Sequence, residues 1–199
     1  MLAGGASRRM GTDKAALHWQ GRPLLDHMLG LARLAGVTEL AVAGPHAPAD
    51  VVRLDDVVAQ RGPIGGLLAV LRWRPRVLVL ACDMPQLTPD LLRFLWQRAS
   101  AFAGGTLPAG QPLCAVYTRE LLPWLQAVIA APSSPSLAAA LADAPRLELS
   151  ADELARHGFG AELFANLNTP ADFAAATAGL DSISGRTRSR GSRSQRRCF

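Results

Sequence analysis

The stretch Val77-Leu78-Val79-Leu80-Ala81-Cys82-Asp83-Met84-Pro85 decides how this chain is read. Its first five residues are all apolar and rich in β-branched side chains. A short continuous run of this kind suits a strand covered on both faces, as strands of parallel sheets are. The run stops at an aspartate, and Met84-Pro85 closes it. Just downstream, Thr88-Pro89-Asp90 has the form of a helix start, with Thr88 as N-cap and Pro89 in the first position. Just upstream, Gly62-Pro63-Ile64-Gly65-Gly66 opens an apolar helix that runs to about Trp73.

Farther out the same alternation continues. Leu24, Leu25, Met28, Leu31 and Ala32 recur at helical spacing, so a helix is expected over 23–34, with Pro23 first and Gly36 at its end. Residues 39–43 read as a short buried strand before Gly44-Pro45, and a loop carries Asp55 and Asp56 on to Arg61. Beyond the central strand, strands are expected over 112–117 and 146–149, and helices over 120–131 and 136–142. Asn168-Thr169-Pro170-Ala171-Asp172 has the form of a capped start to a last helix, reaching about Ala178. Alternating helices and strands specify a three-layer α/β domain around a mostly parallel sheet. One such domain is expected over 1–182, with no internal repeat.

Composition narrows the class. The chain has 199 residues, 49% of them hydrophobic and 19% charged, which is enough to bury a core without staples. No run of about 18 apolar residues occurs, and no basic-then-apolar segment resembles a signal peptide, so no membrane partner is expected and the cytoplasm is the default. Three widely spaced cysteines, Cys82, Cys114 and Cys198, do not form a disulfide framework or a structural zinc site. The net charge of +5 invites a nucleic-acid reading, but six arginines between Arg186 and Arg197, with no acid among them, supply more than all of it. Removing those six charges leaves −1 for residues 1–182. The Arg/Ser-rich segment 183–199 is nearly free of apolar residues and is expected to be disordered, a solvated tail rather than a nucleic-acid site.

The chemistry concentrates in three places. Leu2-Ala3-Gly4-Gly5-Ala6-Ser7-Arg8-Arg9-Met10-Gly11-Thr12-Asp13-Lys14 is a glycine-rich turn in which adjacent glycines let the backbone turn its N–H groups onto a phosphate or a base edge. It matches neither the P-loop nor the dinucleotide fingerprint. Lys14 is the chain's only lysine against twenty arginines, which suggests a need for a compact ammonium charge. A phosphate loop ordinarily follows a strand, yet only Met1 and Leu2 precede this one, so the first strand is expected to be truncated. Asp83 ends the most apolar strand, where α/β sheets bind ligands, and a carboxylate beside phosphates suits Mg²⁺. Asp55 with the Gly62–Gly66 segment is the third place, its glycines permitting close approach of backbone to ligand. The four histidines are scattered without metal-ligand spacing, and Cys82 reads as a buried strand end rather than a nucleophile.

Together the glycine-rich segment with its lysine, the aspartate before Gly62-Pro63-Ile64-Gly65-Gly66, the strand ending Cys82-Asp83-Met84-Pro85 and the Asn168-Thr169-Pro170-Ala171-Asp172 segment resemble the molybdenum cofactor guanylyltransferases of the MobA type, over residues 2–178. The resemblance implies a Rossmann-like nucleotidyltransferase fold. It also implies transfer of GMP from GTP to molybdopterin-bound molybdenum, with release of pyrophosphate, a requirement for Mg²⁺ and transient contact with molybdoenzymes or their chaperones. By position it would put Leu2, Ala3 and Gly4 on the guanine nucleotide, Gly5 in the shape of the loop and Lys14 on the triphosphate. Asp55 would lie at the guanine or ribose side, Asp83 on Mg²⁺, and Asn168 towards the pterin. Ala43-Gly44 stands where many members carry an asparagine, which would leave that base contact to backbone. A related transferase using CTP or another acceptor, and a non-catalytic nucleotide binder, are the competing readings.

Overall fold

The computed structural model describes residues 1–2, 18–44, 47–55, 62–99, 104–131, 135–167, 169, 172–173 and 176. The central run forms strand β5 (Arg76–Leu80). Before it come a two-residue hairpin, β1 (His18–Trp19) and β2 (Arg22–Pro23), then α1 (Leu24–Leu34), β3 (Ala41–Ala43), β4 (Val52–Leu54) and α2 (Pro63–Trp73). After it come α3 (Pro89–Arg98), β6 (Gly105–Pro108), β7 (Cys114–Thr118), α4 (Leu122–Ala130), α5 (Leu137–Ala140), β8 (Arg146–Leu149) and α6 (Ala151–Arg156).

β3 pairs with β4 in parallel, and β5, β7, β6 and β8 follow one another in a second array. Leu2 joins the two, bridging Ala43 on one side and Ala81 on the other, both in parallel. The order across the molecule is therefore β4, β3, Leu2, β5, β7, β6, β8. Only β7 runs against the rest, pairing antiparallel with both β5 and β6, whereas β6 and β8 are parallel. The mostly parallel sheet expected from the sequence is present.

Strand alternation builds the three layers. On β5, Val77 and Val79 face one cluster with Ile64, Leu67 and Leu71 of α2 and Leu125 of α4, while Leu80 faces another with Met28 of α1 and Leu91, Leu92 and Leu95 of α3. On β7, Ala115 and Tyr117 join the first cluster and Cys114 and Val116 the second. Side chains two apart share a face, so each strand serves both helical layers. Leu67, Leu71, Leu91, Leu92 and Leu95 are fully buried, each worth about 1.5–3 kcal/mol relative to exposure.

Several boundaries differ from the expected ones for local reasons. Pro23 is not the first helical residue. With φ −51° and ψ 138° it is the extended N-cap of α1 and the partner of His18. The strand expected over 39–43 is β3, with residues 37–40 lying ahead of it. Gly36 ends α1 with φ +95°, as expected. Thr88 caps α3, its hydroxyl accepting from Leu91 N at 3.3 Å. The Arg146–Leu149 strand is found where expected. The tail 183–199 lies outside the described residues.

Candidate functional site

The strand register lines up one edge of the sheet. Ala43 pairs with Leu54, and Leu2 bridges Ala43 and Ala81, so Leu54, Ala43, Leu2 and Ala81 form one row. Adjacent strands lie about 4.8 Å apart, which makes the row about 14 Å long. All four strands leave the sheet at this edge, carrying the chain into Asp55, Gly44, the glycine-rich segment and Cys82-Asp83 respectively. This is the carboxyl edge, where open α/β sheets take their ligands. α2 starts here too, since it carries the chain from the end of β4 back to the start of β5. Gly62 precedes it with φ +54°, and its carbonyl accepts from Gly65 N at 3.2 Å. An eleven-residue helix thus presents its partly positive end to the same edge.

Asp83 sits half-buried in the turn after β5. The turn is held from several sides. Leu167 N donates to the Asp83 carbonyl at 2.8 Å, and Leu87 N donates to the Met84 carbonyl at 3.3 Å. His27, on α1, donates from Nε2 to the Pro85 carbonyl at 2.9 Å. Met84 and Leu87 are buried beneath the turn. Asp55 is different. It is exposed at the end of β4, with Arg53 Nε 3.5 Å away. The strand ends that lead to these two residues, Leu54 and Ala81, lie three strand spacings, about 14 Å, apart. They can attend opposite ends of one extended ligand.

The expected site residues therefore divide. Leu2, Asp55 and Asp83 are brought to one edge of the sheet. Ala3, Gly4, Gly5, Lys14 and Asn168 lie outside the described residues. The neighbours of Asn168 are placed: Leu167 is bonded to the Asp83 turn, and Thr169 and Asp172 exchange a reciprocal pair of cap bonds at 2.8 and 3.1 Å. Phe173 packs edge-on to Trp19 at 6.3 Å. Leu167 thus ties its own backbone to the Asp83 turn.

His27 and the Leu167 backbone were not singled out by sequence, because their contacts span 58 and 84 positions and leave no local pattern. Cys114 is wholly buried, and burial pushes its thiol up to about 12, which removes it as a nucleophile. Tyr117 is spent structurally, its hydroxyl donating to the Pro112 carbonyl at 2.7 Å. Among the described residues no group of three or more His, Cys, Asp or Glu side chains could hold a metal by themselves. A half-buried carboxylate such as Asp83 fits Mg²⁺, which takes one or two protein carboxylates and completes its shell with phosphates and water.

Comparison with known proteins settles the family. A model of the MobA-like NTP transferase domain matches residues 1–144. The chain belongs to the MobA-like NTP transferase family. A probable molybdenum cofactor guanylyltransferase of Deinococcus radiodurans is 35% identical over 185 residues, covering 87% of this chain and 90% of that protein. A molybdenum cofactor guanylyltransferase of Xanthomonas euvesicatoria is 36% identical over 126 residues, 62% of this chain and 60% of that protein. Among solved structures, the molybdopterin-guanine dinucleotide biosynthesis protein A of Archaeoglobus fulgidus superposes with a TM-score of 0.75, at 22% identity, over 91% of this chain and 97% of that one. The 2-C-methyl-D-erythritol 4-phosphate cytidylyltransferase of Thermus thermophilus gives 0.63 at 18% identity, over 84% and 94%. These two share the fold of this MobA-like transferase. No helix among its described residues is long and apolar enough to cross a membrane.

Proposed function

We propose that this protein transfers GMP from GTP to molybdopterin-bound molybdenum cofactor, releasing pyrophosphate and forming the guanine dinucleotide of the cofactor. Its guanylyltransferase relatives support the acceptor and the base. The observation that carries the reading furthest is the row of strand ends at Leu54, Ala43, Leu2 and Ala81, with Asp55 beyond one end and the Asp83 turn at the other. A nucleotide laid along that row has its base and ribose towards Asp55 and its phosphates towards Asp83. The bond from Leu167 N to the Asp83 carbonyl supports entry of the pterin acceptor on the Asp83 side, with Asn168 as the residue to meet it.

In this reading a terminal phosphate oxygen of the acceptor attacks the α-phosphorus of GTP. The bond from that phosphorus to the bridging oxygen breaks in line, and its electron pair leaves on pyrophosphate. No covalent enzyme intermediate is needed, so the protein's work is positioning and charge neutralisation. Leu2, Ala3 and Gly4 hold the nucleotide through backbone groups, Gly5 shapes the loop, and Lys14 offsets charge on the triphosphate. Asp83 is the residue to hold Mg²⁺, which when bound would neutralise the phosphates and favour departure of pyrophosphate. The site of action is the cytoplasm, with transient contact to molybdoenzymes or their chaperones for delivery.

A second reading, CTP in place of GTP, is kept open by Ala43-Gly44, which offer no polar side chain to read a base. Incubation with GTP, Mg²⁺ and molybdopterin tests the proposal: the pterin guanine dinucleotide should appear by mass spectrometry in step with pyrophosphate. Pyrophosphate without that product would mean another acceptor.

A further inference from the structure

β4 carries a pair of opposite charges at the Asp55 end of the row. Arg53 stands in register with Val42, one residue below the strand ends. Alternation puts Val51 and Arg53 on one face of the sheet and Val52 and Leu54 on the other. Leu54 packs on the cluster that includes α2, whereas Val51 is buried with Val42, Trp19 and Leu25 against α1. Arg53 therefore stands on the α1 face, where the β1/β2 hairpin resumes the chain after the glycine-rich segment. Its Nε lies 3.5 Å from Asp55 Oδ1, so the guanidinium is drawn up to the carboxyl edge.

The pair has little structural work to do. Its side chains are 60% and 87% exposed, and an exposed ion pair at this separation adds little to stability. Arg33, Arg74, Arg93 and Arg98 each donate to a carboxylate of the protein at 2.9 Å or less. Arg53 comes no closer than 3.5 Å to its carboxylate, which leaves the donors of its planar fork open to a ligand. The neighbouring strand end offers nothing comparable, because Ala43 and Gly44 have no polar side chain.

We propose that Arg53 is a specificity-determining residue that donates to O6 and N7 of guanine while Asp55 beside it accepts from N1 and N2, a role that rests on the guanylyl-transfer reading and refines it. Round its edge guanine presents two acceptors, N7 and O6, and then two donors, N1–H and N2–H. A guanidinium supplies paired donors, and a carboxylate next to it supplies paired acceptors. The side-by-side placement of Arg53 and Asp55 matches that order. Arginine is the side chain that meets O6 and N7 with two bonds at once. Adenine has an amino group in place of O6 and a bare nitrogen in place of N1–H. On this pair its donor would meet a donor and its acceptor an acceptor. Cytosine, with one ring, fills at most three of the four positions.

The test measures equilibrium binding of GTP, 7-deaza-GTP, ITP and ATP with Mg²⁺, and pyrophosphate release with molybdopterin, for the full chain and its Arg53→Ala and Arg53→Lys variants. 7-deaza-GTP lacks the N7 acceptor, and ITP lacks the N2 donor. Arg53→Ala should weaken GTP binding about ten-fold and narrow its margin over ATP. The loss should fall on KM rather than kcat, because a base contact is the same in ground and transition states. Tm should stay within about 2 °C, as for other exposed substitutions. The unaltered chain should bind 7-deaza-GTP several-fold more weakly than GTP, whereas Arg53→Ala should bind the two alike. ITP should lose a similar factor in both, since Asp55 is untouched, and Arg53→Lys should recover only part of the loss. Unchanged GTP affinity in Arg53→Ala, or an equal 7-deaza penalty with and without Arg53, overturns the assignment and leaves guanylyl transfer standing. The expected binding pattern without pyrophosphate release counts against the transfer alone. No GTP binding by the unaltered chain overturns both.

Discussion

At the scale of single residues, the proposed reaction calls on two charges of opposite sign. Asp83 stands on a turn fixed by bonds to Leu167 and His27, so replacing its carboxylate by an amide changes charge with little change in backbone. Asp83→Asn should lower Mg²⁺-dependent pyrophosphate release by about 100-fold or more with Tm unchanged. Near-normal turnover would remove the metal role. Lys14 carries the chain's only ammonium on a side chain. Lys14→Ala should lose most GTP-dependent turnover, and Lys14→Arg should restore only part, because a planar guanidinium does not replace a compact charge. Full activity of Lys14→Ala would remove its place on the phosphates.

At the scale of elements, the helices and central strands were legible because their patterns are local. Val77, Val79 and Leu80 announce a doubly covered strand, and Thr88 announces the cap of α3, which accepts the expected backbone bond; the helix expected over 136–142 is α5, and Ser136 caps it. What sequence missed lacks a period. The β1/β2 hairpin turns on Gln20-Gly21, both at positive φ, a pair that carries no customary hairpin signal. β6 is bounded by Gly105 and Pro108, which read as breakers. Yet Gly105 is there because a Cβ would meet the Tyr117 ring at 3.1 Å. β4 and α6 are three and six residues long. The Asp83 turn shows the same limit in the site, since its aspartate was readable and its support by His27 was not. His27→Ala should cost about 0.5–1.5 kcal/mol for the lost bond to Pro85, seen as a small fall in Tm. It should also lower kcat more than it raises the KM for GTP, because it loosens the turn under Asp83. An unchanged kcat would make His27 a packing residue only.

At the scale of the whole molecule, a near-neutral α/β body carries a basic tail, and the two are separable by charge alone. The sheet places every described candidate residue on its carboxyl edge, and nothing in that placement calls on residues 183–199. Deleting that segment should leave GTP-dependent turnover within about two-fold and remove six positive charges, an expectation that follows from the solvation of a charged, apolar-poor stretch. A large loss of turnover on deletion would tie the tail to the reaction.

The central claim is transfer of a guanylyl group at that edge. Its most direct test is pyrophosphate release with molybdopterin and Mg²⁺ as the nucleotide is changed. GTP should support release, and CTP and ATP should support at most about a tenth of it, a gap of roughly 1.4 kcal/mol in transition-state binding. Equal release with CTP, or none with GTP, would contradict the account.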